Sequence, residues 1–121
     1  MTANPETQIV TDILLGINMF PNVIARRVNS TGIPDGGAWR KQGSMSAVGM
    51  SDIIIRAKRP RETEGVVIFL EVKTETGHLN DNQRQFAADC ERMGCIYEVA
   101  RSRHDALEVL RKHKVIGGEL L

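Results

Sequence analysis

The stretch "VVIFLEVK", residues 66–73, places two charged side chains in the most apolar and β-branched run of the chain. A run of this kind is typical of a strand that is buried on both faces. Because side chains alternate along a strand, Glu71 and Lys73 share one face with Phe69. Burying an unpaired charge costs several kcal/mol, so such charges are normally paired or bound to metal. The two residues therefore predict either an internal ion pair or half of an active site.

Length and composition are those of a single domain spanning residues 1–121. No apolar run approaches the roughly 20 residues that span a bilayer, and "MTANPETQ" lacks the features of a signal peptide. We therefore expect a cytoplasmic protein, in a bacterium or a virus-infected cell, with no membrane partner. Cys90 and Cys95 lack partners at zinc-site spacing, and we expect both to be small core residues.

Hydrophobic periodicity predicts the element order α-β-β-β-α-β-α. The predicted helices run from Pro5 to about 16–19, from Asn80 or Asp81 to Met93–Gly94, and onward from Ser102; the predicted strands are 22–30, 50–58, 66–73 and 95–101, with a long loop at 31–48. This order favours an α/β fold in which helices flank a mixed central sheet.

Three further polar side chains interrupt apolar patterns. Glu6 lies on the same helical stripe as Val10, and Gln83 shares a helix face with Phe86. Asp52 opens the apolar run "DIII". Taken singly, the helix residues could extend towards solvent from a first turn, where acids are favoured by the helix dipole, and Asp52 could be a turn residue.

Taken together, these residues predict a metal site. Glu6, Asp52 and Glu71 are three acids for the single lysine Lys73, and like charges that share a site destabilise the fold unless a cation neutralises them. Carboxylate oxygens with one amide suit Mg²⁺ or Mn²⁺, whereas zinc prefers His and Cys. A metal ion makes water more acidic and offsets charge on phosphate oxygens, which is the chemistry that phosphodiester hydrolysis needs.

Several motifs in this arrangement resemble the PD-(D/E)XK nuclease superfamily, and more narrowly its virus-type replication-repair nuclease domain, VRR-NUC. They are "GMSDII" (49–54), "FLEVKTETGHLNDNQRQF" (69–86) and "YEVARS" (97–102). The resemblance extends from Glu6 to about Leu110 and implies a restriction-endonuclease-like core. Ser51 stands where the superfamily name has proline, which leaves the metal-binding pattern intact.

The resemblance also implies a role for each motif residue. Asp52, Glu71 and the Val72 carbonyl would bind a divalent metal, and Glu6 would complete its shell. Lys73 would orient or activate the attacking water and stabilise the developing charge. Gln83 would either bind the metal or support the residues that do.

A basic segment between residues 26 and 61 carries eight Lys or Arg against two acids, although the whole chain has a net charge of only +1. It could hold DNA phosphates, or it could be a solvated loop region. We expect DNA contacts from its members Arg26, Arg40 and Lys41. The family's Arg-x-Asn segment adds Arg27 and Asn29 as residues that contact DNA or support the site.

These features predict a metal-dependent DNA endonuclease, and the resemblance associates it with DNA repair and with phage. The resemblance favours branched DNA, such as a four-way (Holliday) junction, and a homodimer, because two symmetric cuts need two sites. A flap or fork nuclease is the nearest alternative. A non-catalytic DNA-binding or assembly module and a metal-free scaffold with a Glu71–Lys73 pair also stay open.

Overall fold

The computed structural model describes residues 4–28 and 49–117. Its elements are α1 (Pro5–Ile17), β1 (Val23–Arg27), β2 (Ile53–Lys58), β3 (Gly65–Val72), α2 (Asp81–Met93), β4 (Ile96–Ala100) and α3 (Arg103–Lys112). The predicted element order is confirmed, with strand ends displaced by at most three residues. The predicted loop at 31–48 lies outside the described residues.

The four strands form one mixed sheet in the order β1-β2-β3-β4. β1 and β3 each pair with β2 in an antiparallel arrangement, whereas β3 and β4 are parallel. α2 provides the crossover between the two parallel strands, as such a connection requires. This mixed sheet with flanking helices is consistent with the restriction-endonuclease-like fold.

Helices α1 and α3 pack on one face of the sheet and form the main core. Alternation along β3 sends Ile68, Leu70 and Val72 into this core, and all three are fully buried. α2 lies on the opposite face, where the ring of Phe86 packs against Phe69 at 5.4 Å and Tyr97 at 5.7 Å. Within the two described ranges, no helix is both long and apolar enough to span a membrane.

Two expectations need correction. Cys90 is buried as predicted, but Cys95 is exposed, because α2 ends at a left-handed Gly94 (φ 80°) and the chain turns outward before β4. The strand β3 is also not buried along both faces. Val67 and Phe69 lie on the same face of β3, but α2 covers only the part of that face around Phe69. Val67 is therefore 45% exposed.

Candidate active site

Asp52 and Glu71 lie opposite each other on neighbouring strands. The antiparallel pairing of Ile53 with Leu70, continued by one residue, brings them together on the sheet face that carries α2. The Asp52 carboxylate accepts a hydrogen bond from the Val72 amide at 2.9 Å, and its carbonyl accepts one from the Val28 amide at 2.7 Å. Asp52 is therefore fixed between β1 and β3.

The Glu71 carboxylate is the centre of the cluster, and Glu71 is only 2% exposed. Its Oε2 accepts a hydrogen bond from Gln83 Nε2 at 3.0 Å and lies 3.6 Å from Lys73 Nζ. Its Oε1 is buried and has no hydrogen-bond partner among residues 4–28 and 49–117. A buried carboxylate oxygen without a partner is costly, so this atom is a ready ligand for a cation.

Burial, and next the neighbouring Asp52, raise the pKa of Glu71 from its ordinary value of 4.5 to about 8. Lys73 opposes this rise, whereas the negative charge of Glu6 adds a smaller contribution to it. With both carboxylates ionised, the pair would carry more negative charge than its single lysine offsets, so without a cation Glu71 keeps its proton up to about pH 8. A bound cation would favour the ionised form of Glu71.

Gln83 is held in one orientation by a capping box at the start of α2. The Asn80 side-chain oxygen accepts a hydrogen bond from the backbone N–H of Gln83 at 2.8 Å. In return, the side-chain oxygen of Gln83, Oε1, accepts one from the backbone N–H of Asn80 at 2.9 Å. With its oxygen occupied, Gln83 presents its NH₂ group to Glu71. Of the two roles that the sequence left open, this geometry favours supporting Glu71 over binding the metal directly.

Gly49, in the segment before Asp52, has a structural role that the sequence alone did not reveal. Its φ is +78°, and a Cβ built on it would lie 2.1 Å from the Asn82 carbonyl oxygen. Only glycine permits this approach, which sets the Asp52 segment against the first turn of α2. The "G-x-x-D" spacing marked the residue, but nothing local to it indicates which backbone it meets.

Glu6 is half-buried at the start of α1 and influences Glu71 only as an added negative charge. Among the residues that the structure describes, no three His, Cys, Asp or Glu side chains are grouped closely enough to hold a metal ion. The carboxylates that the structure brings together are those of Asp52 and Glu71. Two hard oxygen donors, one with an unpartnered atom, fit Mg²⁺ or Mn²⁺ and do not fit a zinc centre.

The predicted DNA contacts are only partly described. Arg26 is exposed and pairs with Ile54, which places it on the same sheet face as Asp52. Arg27 is also exposed, but it pairs with Ile53 and therefore belongs to the opposite face. Three further predicted residues, Asn29, Arg40 and Lys41, lie outside the described residues.

Comparison with protein families matches residues 16–104 to the VRR-NUC domain. The matched span includes Asp52, Glu71, Lys73 and Gln83 but begins after Glu6. Comparisons with curated proteins and with solved structures gave no significant match. The family match covers more than half of the 121 residues. The chain therefore belongs to the VRR-NUC family, and its domain is a nuclease domain of the PD-(D/E)XK type.

Proposed function

We propose that this domain is an endodeoxyribonuclease that requires Mg²⁺ or Mn²⁺ and cuts branched DNA. The observation that carries the proposal is the pairing of Asp52 with a buried Glu71, one oxygen of which has no partner, beside Lys73. Hard oxygen donors with excess negative charge suit a divalent ion rather than a structural role alone. Asp52, Glu71 and the Val72 carbonyl would hold the ion, and Glu6 on α1 would add its negative charge unless it moves closer when the ion binds.

Hydrolysis joins the oxygen of a water to phosphorus, breaks a phosphorus–oxygen bond of the backbone, and leaves a hydroxyl on the departing sugar. A divalent ion bound at this site supplies Lewis-acid chemistry, offsetting charge on phosphate oxygens and making water more acidic. Lys73 follows Glu71 on the same face, and its Nζ lies 3.6 Å from Glu71 Oε2. We assign it the orientation of the attacking water and the stabilisation of the charge that develops on phosphate.

Gln83 contributes indirectly. Its side-chain NH₂ group donates a hydrogen bond to Glu71 Oε2 at 3.0 Å, while its side-chain oxygen is held by the backbone N–H of Asn80 in the capping box. This arrangement keeps one Glu71 oxygen engaged and leaves Oε1 available. Preorganised donors of this kind reduce the rearrangement that the site must undergo during the reaction.

The choice of branched DNA rests on the family resemblance and on the size of the domain. Arg26 offers an exposed positive charge on the face of the site, suited to a phosphate rather than to a base edge. Phosphate contacts position DNA without reading its sequence, so selectivity would come from DNA shape. A homodimer would present two such sites to the two symmetric strands of a four-way junction.

The decisive experiment is a cleavage assay on single-stranded, duplex, flap and four-way-junction DNA with Mg²⁺ or Mn²⁺. We expect cutting of the junction by the wild type and none by Lys73→Ala, with binding of Lys73→Ala to junction DNA retained. Thermal melting should show that Lys73→Ala is folded. Sedimentation of the protein with the junction should show two copies per DNA.

Other outcomes point to the alternatives. Preferred cutting of flap or fork DNA would replace the junction specificity while keeping the nuclease. DNA binding without cutting, or no calorimetric response to Mn²⁺, would contradict the proposal and favour a non-catalytic module. If Lys73→Ala unfolds the domain, the Glu71–Lys73 contact is a structural ion pair instead.

A further inference from the structure

We infer that Arg101 is a positioning residue for Lys73, because it clamps the turn at 74–77 against the lysine side chain. The inference rests on the proposed nuclease function. Arg101 directly follows β4 and belongs to the motif "YEVARS" (97–102), in which the sequence indicates no role for it. Its guanidinium nevertheless lies beside the segment that leaves the site.

One nitrogen of Arg101 contacts several backbone carbonyls of that turn. Nη1 donates to the Thr74 carbonyl at 2.6 Å and to the Gly77 carbonyl at 2.7 Å, with the Glu75 carbonyl at 3.5 Å. Hydrogen bonds from a charged donor are about twice as strong as neutral ones. The two short bonds hold both ends of the turn to a single side chain.

Arg101 is itself held firmly on the sheet side. Its backbone amide donates to an Asp105 carboxylate oxygen at 2.9 Å, and Asp105 belongs to the first turn of α3. The preceding carbonyl, that of Ala100, accepts from the Lys73 amide at 3.1 Å. The backbones of Arg101 and Lys73 therefore form one rigid junction between β3, β4 and α3.

The same turn also lies next to the side chain of Lys73. It is closed by a hydrogen bond from the Gly77 amide to the Thr74 carbonyl at 3.1 Å. A Cβ built on Gly77 would lie 3.5 Å from Lys73 Cδ, so the turn backbone packs beside the aliphatic stem of the lysine. Lys73 thus lies between its ion-pair partner Glu71 at one end and this turn along its length.

This contact matters because a lysine stem has four rotatable bonds and its ammonium group is a point charge. An ion pair at 3.6 Å alone leaves room for several stem conformations. A wall along the stem restricts them, and small displacements of a reacting group can reduce rates by about 100-fold. Arg101 would therefore act on the rate of the chemical step and not on the binding of DNA or metal.

The test compares Arg101→Ala and Arg101→Lys with the wild type and with Arg103→Ala as the matched control. Arg103 lies two residues further on and pairs with Asp12 on the surface between α1 and α3, away from the turn. For each protein, kcat and KM for junction cleavage with Mn²⁺, calorimetric Mn²⁺ affinity and thermal melting are measured. Hydrogen exchange of the Gly77 amide reports the state of the turn without reference to activity.

We expect Arg101→Ala to lower kcat by about 10- to 100-fold, with KM and Mn²⁺ affinity within about twofold of the wild type. Hydrogen exchange of the Gly77 amide should be at least about tenfold faster, because its acceptor, the Thr74 carbonyl, is no longer held by Arg101. Arg101→Lys keeps a charged donor but loses the planar guanidinium. Its kcat and its exchange rate at Gly77 should therefore lie between those of the wild type and Arg101→Ala. Arg103→Ala should keep wild-type kcat and wild-type exchange at Gly77.

The inference is overturned alone if the wild type cuts DNA and Arg101→Ala retains its kcat, or if exchange at Gly77 does not change. It is also overturned if kcat falls in Arg103→Ala as far as in Arg101→Ala at equal loss of thermal stability. If neither the wild type nor Arg103→Ala cuts any substrate, the proposed function fails and the inference falls with it. The two failures are therefore distinguishable.

Discussion

The raised pKa of Glu71 predicts that the metal-free protein loses stability as the pH rises, and that Glu71→Gln removes this loss. In the folded state the pKa is about 8, against an ordinary 4.5. Between these two pH values the folded protein keeps a proton that the unfolded chain releases. The free energy of unfolding must therefore fall with increasing pH across this window.

The size of the effect follows from the shift. Each pKa unit corresponds to about 1.4 kcal/mol, so from pH 5 to pH 8 this carboxyl should cost the wild type about 3 to 4 kcal/mol. The burial of Glu71, which is only 2% exposed, means that solvent screens little of this cost. Glutamine has nearly the same shape and does not titrate, so the variant lacks this pH dependence.

Urea unfolding at several pH values between 5 and 8.5, in the presence of EDTA, measures the difference directly. The stability of Glu71→Gln minus that of the wild type should rise by about 3 kcal/mol across the range. Glu62→Gln is the matched control, because Glu62 is an exposed glutamate at the opposite end of the sheet. If the wild type and Glu71→Gln give parallel pH profiles, Glu71 is not held in the protonated form and the electrostatic account of the site is wrong.

Three other predictions concern packing and DNA contacts. Gly49→Ala should lower the free energy of unfolding by at least about 3 kcal/mol, and Gly94→Ala by about 1 to 2 kcal/mol. Both glycines have a left-handed backbone, but only Gly49 lies against the backbone of α2. Equal losses in urea unfolding would contradict that contact. Tyr97→Phe should stabilise the protein by about 1 kcal/mol, since the buried hydroxyl has no hydrogen-bond partner among the described residues; a loss in melting temperature would show that the hydroxyl is satisfied. Arg26→Ala should weaken binding to all DNA substrates and reduce the salt slope by about 0.9, while Arg92→Ala on α2 should leave both unchanged; an unchanged slope for Arg26→Ala would remove it from the DNA interface.

Local patterns in the sequence predicted most of the fold. The apolar, β-branched run at residues 66–73 predicted β3 to within one residue at each end. The helix predicted to begin at Asn80 or Asp81 does begin at Asp81, and the structure adds the capping box that defines this first turn. Such signals depend on neighbours in the chain, and they are therefore readable without coordinates.

Contacts between distant segments were less accessible. Asp52 and Glu71 each interrupt an apolar pattern, which suggested that the two side chains meet. Whether they lie opposite each other depends on the register between β2 and β3. The approach of Gly49 to α2 and the bonds from Arg101 to the 74–77 turn were not predicted. Both join segments more than 20 residues apart, and no periodicity encodes which backbone a side chain will find.

The sequence by itself determined the order of helices and strands, which acids interrupt apolar patterns, and that Glu71 and Lys73 are neighbours on one strand face. These properties follow from the spacing of residues along the chain. The tertiary structure alone decided that Gln83 presents its amide nitrogen to Glu71, and that one Glu71 oxygen is left without a partner. The physical reason is that hydrogen-bond satisfaction and burial are properties of the packed whole. They change with every neighbour that folding brings close, whereas chain periodicity does not.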